Sequence, residues 1–176
     1  EPWADGAPHP VGQGGFYNGD GVTSMHHNSA GTRISPTEIW ETRNPWLVRK
    51  IELAQDSCGA GEFRGGLGLN LEFEMLEDTF ITTVVERTKF PPWGIKEGCT
   101  GRANNVEVNQ KKGKKFNMPK KSGFKLSIGD KITFMTGGGG GYGNPKNRKI
   151  SSIKNDLKQE YISVEHVKRF YKFIAF

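Results

Sequence analysis

The chain has 176 residues, 34% of them hydrophobic, with 24 glycines, 11 phenylalanines and a net charge of +6. That length allows one domain with a real core, and the glycine-rich, moderately apolar balance excludes a helical bundle in favour of short strands and many turns. No apolar run approaches the roughly 20 residues of a membrane span, and the start EPWADGAPHP is not read as a signal peptide.

In chain order, residues 1–45 form a Gly/Pro-rich loop region containing GGFYNGDG and MHHN, with a short helical turn over Pro36–Glu41 stopped by Asn44-Pro45. WLVRKIELA fits a strand that is irregular at Val48 and Arg49. The clearest alternation is LGLNLEFEM: Leu67, Leu69, Leu71, Phe73 and Met75 point one way, with polar residues between them. One wet and one buried face is the pattern of an antiparallel sheet. FITTVVER is β-branched and reads as the partner of that strand across a turn at Glu77-Asp78. Further strands are expected around Val106 and Val108, over Phe124–Ile128, and after the Gly129-Asp130 turn over Lys131–Thr136.

The expected fold is therefore mainly β: a β body over 46–143, antiparallel and sandwich- or barrel-like, with a tail of two short C-terminal helices in 150–176. In that tail Ile150, Ile153 and Leu157 lie at helical spacing with Ser151 or Ser152 as a cap, and Ser163 can cap a second helix.

The charge is local. KKGKKFNMPKK, residues 111–121, holds six lysines, and removing six of the 25 basic residues leaves 19 against 19 acidic. With no Arg and only Phe116 as an aromatic, the tract lacks the stacking platforms of a nucleic-acid track and reads as a solvated hairpin tip. Cys58 and Cys99 have no metal-ligand or CxxC spacing, which suits reduced thiols in a cytoplasmic setting.

Two stretches invite chemistry. TGGGGGYGNP, residues 136–145, contains a GxGxxG register at Gly138, Gly140 and Gly143. A dinucleotide site needs a helix directly after the loop, and Pro145 opens a polar segment instead. The remaining reading is backbone held in a glycine-only geometry beside a close neighbour. The second stretch, DSCGAGEFRGGLGL from Asp56 to Leu69, sets Arg64 among glycines. Its planar fork suits an anion, or an ion pair with Asp56 or Glu62 that locks a turn. His26 and His27, with Asp20 nearby, lack a third ligand at useful spacing, so no metal ligand is assigned, although one histidine could serve acid–base chemistry.

Several segments together resemble one family. DSCGAGEFRGGLG is similar to the DSGGAGxxRGGxG signature of the hydantoinase B/5-oxoprolinase family, as are PPWG at Pro91–Gly94, LSIGDKITFMTGGGGGYGNP, SPTEIWE before Asn44-Pro45, and the tail NDLKQEYISVEHVKRFY. Cys58 stands where that pattern favours Gly, and the tail ends YKFIAF where the family has YGV. The resemblance implies the C-terminal segment of a B-type subunit in an ATP-dependent cyclic-amide hydrolase acting on hydantoin- or 5-oxoproline-type rings. The related ATP-dependent ketone carboxylases are one alternative, and a non-catalytic β-rich subunit-interaction module is the other. It further implies ATP and Mg in an A-type, ATP-using partner subunit, and a divalent metal in the N-terminal part of the B-type subunit. The expected partners are that remaining part, the A-type subunit and a small cyclic amide or ketone, with no nucleic acid and no membrane. The chain alone is expected to be inactive and to bind no cofactor. Arg64, Asp56 and His26 are the candidate catalytic residues, and Gly65, Gly66, Gly139 and Gly140 the candidate substrate-contacting backbone.

Overall fold

A computed structural model describes residues 9–25 and 34–173; His26 and His27 lie outside them. Seven strands form two antiparallel sheets. The larger follows the order β1 (Trp46–Leu53), β2 (Leu69–Met75), β7 (Lys131–Met135), β4 (Asn105–Asn109), β5 (Lys115–Asn117). The smaller pairs β3 (Thr79–Val84) with β6 (Lys120–Leu126) and lies across the core from it, giving an open, sandwich-like body.

The alternation in β2 is realised: Leu69, Leu71, Phe73 and Met75 are buried while Asn70, Glu72 and Glu74 are only half covered. Phe73 is the hinge of the main core, with Trp40 from α1 (Thr37–Arg43) and Phe134 packed edge-on at 5.7 and 6.1 Å. Each fully buried apolar side chain of this kind stabilises the fold by about 1.5–3 kcal/mol. The irregularity expected in β1 is a register shift between Val48 and Lys50, where Arg49 turns outward to pair with Glu74 at 2.8 Å.

One strand pairing differs from the sequence reading. β3 does not pair with β2, whose two edges are taken by β1 and β7. Where β3 begins in the other layer, Asp78 Oδ1 accepts from Ile128 N at 3.2 Å and its Oδ2 meets Lys125 at 2.7 Å. Ile81 of β3 and Phe124 of β6 then face the core. The lysine tract also departs from a simple tip. Only Gln110–Lys114 makes the turn, closed by Gly113 at φ 86°, while the remainder supplies β5 and the start of β6.

α2 (Ile150–Lys158) and α3 (Val164–Phe170) do not cover the sheet. Ile153, Ile162, Val167 and Tyr171 instead form a second core with Cys58, Ala60 and Leu67, over the glycine-rich segments. Ser163 caps α3 as expected, accepting from His166 N at 3.1 Å, whereas Lys149 begins α2 without a side-chain cap.

Candidate functional site

After β7 the chain runs through Gly137–Gly141 into a layer made almost wholly of backbone. A Cβ on Gly138 would stand 2.0 Å from the Ser57 carbonyl oxygen, and one on Gly141 2.1 Å from that of Ala60. Gly137 and Gly140 face Arg102 O and Trp93 O in the same way, at 2.6 and 1.9 Å, and Gly139 faces Gln13 O at 1.7 Å. Hydrogen bonds keep the same step of three: Gly12 N donates to Gly137 O at 2.9 Å and Gly15 N to Gly140 O at 2.8 Å. Three residues per turn is the period of a polyproline-II-type backbone, and such a chain can touch neighbours on three sides only without Cβ atoms.

None of these five glycines has a positive φ; the only one in the loop is Gly143, at 75°. Glycine is demanded here by the close neighbour expected from the sequence and not by torsion, so only the expected glycine-only torsions are corrected. The N–H groups of Gly137, Gly139, Gly141, Tyr142 and Gly143 all donate to protein oxygens, so these five are not free to cradle a phosphate. Gly65 and Gly66 belong to the same layer: their Cβ positions would meet Gly139 O and Val22 O, each at 1.9 Å. Gly65, Gly66, Gly139 and Gly140 are thus occupied by neighbouring backbone.

Beneath the layer lies a buried chain of alternating charges. Arg64 donates from Nε to Asp156 Oδ1 at 3.1 Å and from Nη1 to Gly65 O at 2.9 Å, and its guanidinium lies 5.1 Å from the Tyr161 ring centroid. Arg148 donates to Asp156 Oδ2 at 2.6 Å, to both Asp20 oxygens at 2.7 and 2.8 Å, and to Glu62 O at 3.0 Å. Asp20 also accepts from Arg64 N at 2.8 Å. Burial pushes the Asp20 carboxyl up, but the hydrogen bond and charge of Arg148, with the charge of Arg64, outweigh it and hold the group below its usual range. Burial opposes the charge on Arg148 as well, and the two aspartates override it and raise its pKa.

Arg64 is therefore neutralised within the chain, and its partner is neither Asp56 nor Glu62. Asp56 (φ 61°) accepts from Ser163 N at 2.7 Å and lies 3.6 Å from His166 Nδ1, so it fixes the start of α3. Asp20 enters as an ion-pair partner. Arg148 and Asp156 were missed from sequence, although Asp156 carries a signal: an acid three residues after Ile153 on the apolar stripe of α2, and buried with it. The bend Asn144–Asn147, in which Asn144 Oδ1 accepts from Lys146 N at 2.9 Å, delivers Arg148 to this position. Cys58, buried in the adjacent core, has its thiol pushed up to about 12 by burial and is no nucleophile at neutral pH. Among the described residues no three His, Cys, Asp or Glu side chains gather as a metal site, and no helix is long and apolar enough to cross a membrane.

Tyr142 and Phe63 pair through an isolated antiparallel bridge and line an open cleft of about 460 Å³. Tyr17, Glu62, Lys96 and Glu97 rise around it.

The chain matches the Hydantoinase B/oxoprolinase family over residues 1–145. It is 39% identical over 138 residues to the uncharacterized protein MJ0963 of Methanocaldococcus jannaschii, a match taking in 78% of this chain and 24% of that protein. In architecture it is similar to the ATP-dependent caprolactamase of Pseudomonas jessenii, with a TM-score of 0.83 and 21% identity over 95% of this chain and 30% of the other. It is also similar to acetone carboxylase, with a TM-score of 0.74 and 17% identity over 86% of this chain and 25% of the other. The chain thus spans only part of the relatives it matches, from 9% to 30% of their length. The family match over residues 1–145, most of the chain, identifies it as a member of the hydantoinase B/oxoprolinase family.

Proposed function

We propose that this chain is the C-terminal portion of a B-type subunit in an ATP-dependent hydrolase of cyclic amides. It would serve there as the rigid floor under the site where an activated substrate is opened. An amide resists water because its nitrogen lone pair stabilises the carbonyl. Phosphorylating the carbonyl oxygen, which requires ATP and Mg in an A-type partner, removes that protection and creates a leaving group. The intermediate must then be held where water attack is controlled, and a site of that kind needs rigid support.

The observation that carries this reading is the self-sufficiency of Arg64 and the glycine layer: the guanidinium is bonded to Asp156 and Gly65 O, and Gly65, Gly66, Gly139 and Gly140 are closed by backbone. Residues in such a state support a site and do not themselves touch the substrate. Arg64 acts in this reading as a positioning residue, holding the acidic element that carries Asp156. Any divalent metal belongs to the remainder of the subunit, as does the choice of ring. The family and the caprolactamase architecture favour amide opening; acetone carboxylase makes ATP-dependent ketone carboxylation the second reading.

Reconstitution tests it. The chain is combined with the rest of its B-type subunit and the ATP-using subunit, and Mg-ATP-dependent opening of caprolactam, hydantoin and 5-oxoproline is followed. Activity that disappears when this chain is omitted is expected. ATP turnover coupled only to acetone and bicarbonate would replace the reading with carboxylation, and ring opening unaffected by the omission would reduce the chain to an interaction module.

A further inference from the structure

We propose that the outer face of the small sheet is a docking surface for an apolar segment of the rest of a B-type subunit. Side chains of β3 and its continuation alternate: Ile81, Thr83 and Val85 turn to the core, while Phe80, Thr82 and Val84 turn away from it. Phe80 and Val84 are 73% and 75% exposed. β2 shows how this chain writes a face that meets water, with Asn70, Glu72 and Glu74. β3 has Phe, Thr and Val in the equivalent places, and a strand apolar on both faces is one that is covered on both. A single exposed apolar side chain would be ordinary; two on one face of one strand form a stripe.

The charges beside the stripe are already balanced. Lys125 stands opposite Phe80, and Lys120 opposite Val84. Lys125 pairs with Asp78 at 2.7 Å and Lys120 with Glu86 at 2.6 Å. Neither is left to draw a phosphate polymer or an acidic lipid surface to the stripe. Between them Thr82 Oγ1 accepts from Gly123 N at 3.2 Å, so this hydroxyl is engaged by the sheet itself. What remains for a partner to recognise is apolar. At Val84 the stripe adjoins a cleft of about 180 Å³, lined also by Val85, Phe134 and Met135 and by Asn104 and Asn105. A cavity of about 150 Å³ suffices for a benzene ring, so the cleft has room for one aromatic or branched side chain of the docking segment.

Two observations select the occupant. The match to MJ0963 takes in 24% of that protein, and the architectural match to the caprolactamase takes in 30% of its chain, so most of a full-length relative lies outside this segment. The second is the size of the patch. Fully buried, an aromatic side chain contributes about 150–250 Å², so Phe80, Val84 and one cleft fall well short of the roughly 800 Å² per partner that a stable interface between separate molecules needs. A patch too small to hold a second copy is sufficient within one subunit, where other contacts already keep the two parts together. The inference rests on the proposed reading of this chain as part of a B-type subunit, and it adds the surface by which the part is joined.

Amide hydrogen exchange tests it, followed on the 176-residue chain alone and on the chain co-expressed with the rest of its B-type subunit. Residues 79–84 are expected to exchange about tenfold more slowly in the co-expressed assembly. Phe80→Ala joined with Val84→Ala should weaken the association about tenfold, while Ile150→Ala, exposed on α2, leaves it unchanged. The exchange of the unaltered chain keeps the test decisive if the double variant does not fold. Association without slowed exchange over 79–84, unchanged affinity of the double variant, or an equal loss with Ile150→Ala overturns the docking surface and leaves the subunit assignment intact. Exchange over 79–84 that slows in the chain alone as its concentration rises overturns the occupant in favour of a second copy. Failure of the two parts to associate overturns the inference together with the reading beneath it.

Discussion

Gly65 and Gly139 meet backbone to backbone, so closely that a Cβ on Gly65 would lie 1.9 Å from the Gly139 carbonyl oxygen. No side-chain rotation can relieve such an overlap, and one of the two chains has to move. The layer is therefore intolerant at positions where a turn glycine would be forgiving. Gly139→Ala is expected to cost 3 kcal/mol or more, the upper end of about 1–3 kcal/mol for overpacking, because the atom it meets, Gln13 O, is itself backbone. Gly113→Ala supplies the contrast: its φ is 86° with nothing within 4 Å, so only torsional strain of about 1–2 kcal/mol applies. Urea unfolding of both variants measures the difference, and equal losses would refute contact as the reason for the pentaglycine run.

Asp156 is the shared partner of Arg64 and Arg148, and its side chain is 4% exposed. Asp156→Asn retains the volume and leaves two buried guanidiniums without their common counter-charge. Removing one partner of a buried ion pair costs about 3–5 kcal/mol, and that loss is expected in the urea midpoint. A loss below about 1 kcal/mol, the range of surface pairs, would mean that the network contributes no net stability.

His166 gives the tail a pH dependence. Burial lowers its pKa first; the Asp56 charge opposes this, and the nearby Arg169 and Arg148 charges reinforce it. With the folded pKa below the unfolded value of about 6.5, the unfolded chain takes up the proton first as pH falls. This contribution is whole above about pH 6.5 and is lost as pH drops from there toward the folded pKa. His166→Gln should flatten the fall in stability as pH drops below about 6.5, measured as urea midpoints across a pH series. An unchanged slope would assign the dependence to other groups.

What was legible in the sequence was whatever local pattern determines. β2 was plain because one of its faces is wet, so its polar residues mark every second position. Ser163 was plain because a cap acts within three residues. The partner of β3 was not, because β6 is remote in sequence and both edges of β2 are taken by β1 and β7. The pentaglycine loop could be excluded as a nucleotide cradle from Pro145 alone, yet its purpose depended on segments from four distant parts of the chain. Arg64 was singled out by its glycines, but its partner lies 92 residues on. An isolated acid on the apolar stripe of α2 was the one local trace of that pairing.

The glycine layer has a kinetic corollary. Segments 12–15, 57–61, 93–102 and 137–143 hold one another mainly by main-chain bonds, with few side chains to gather them beforehand. Contacts between such remote segments impose a large loop-closure cost before any reward is collected. The layer is accordingly expected to close late, after both sheets have formed, and during synthesis it must wait until residue 143 has left the ribosome. Cys58, Ala60 and Leu67 lack their cover for longer still, until Ile153, Ile162, Val167 and Tyr171 have followed.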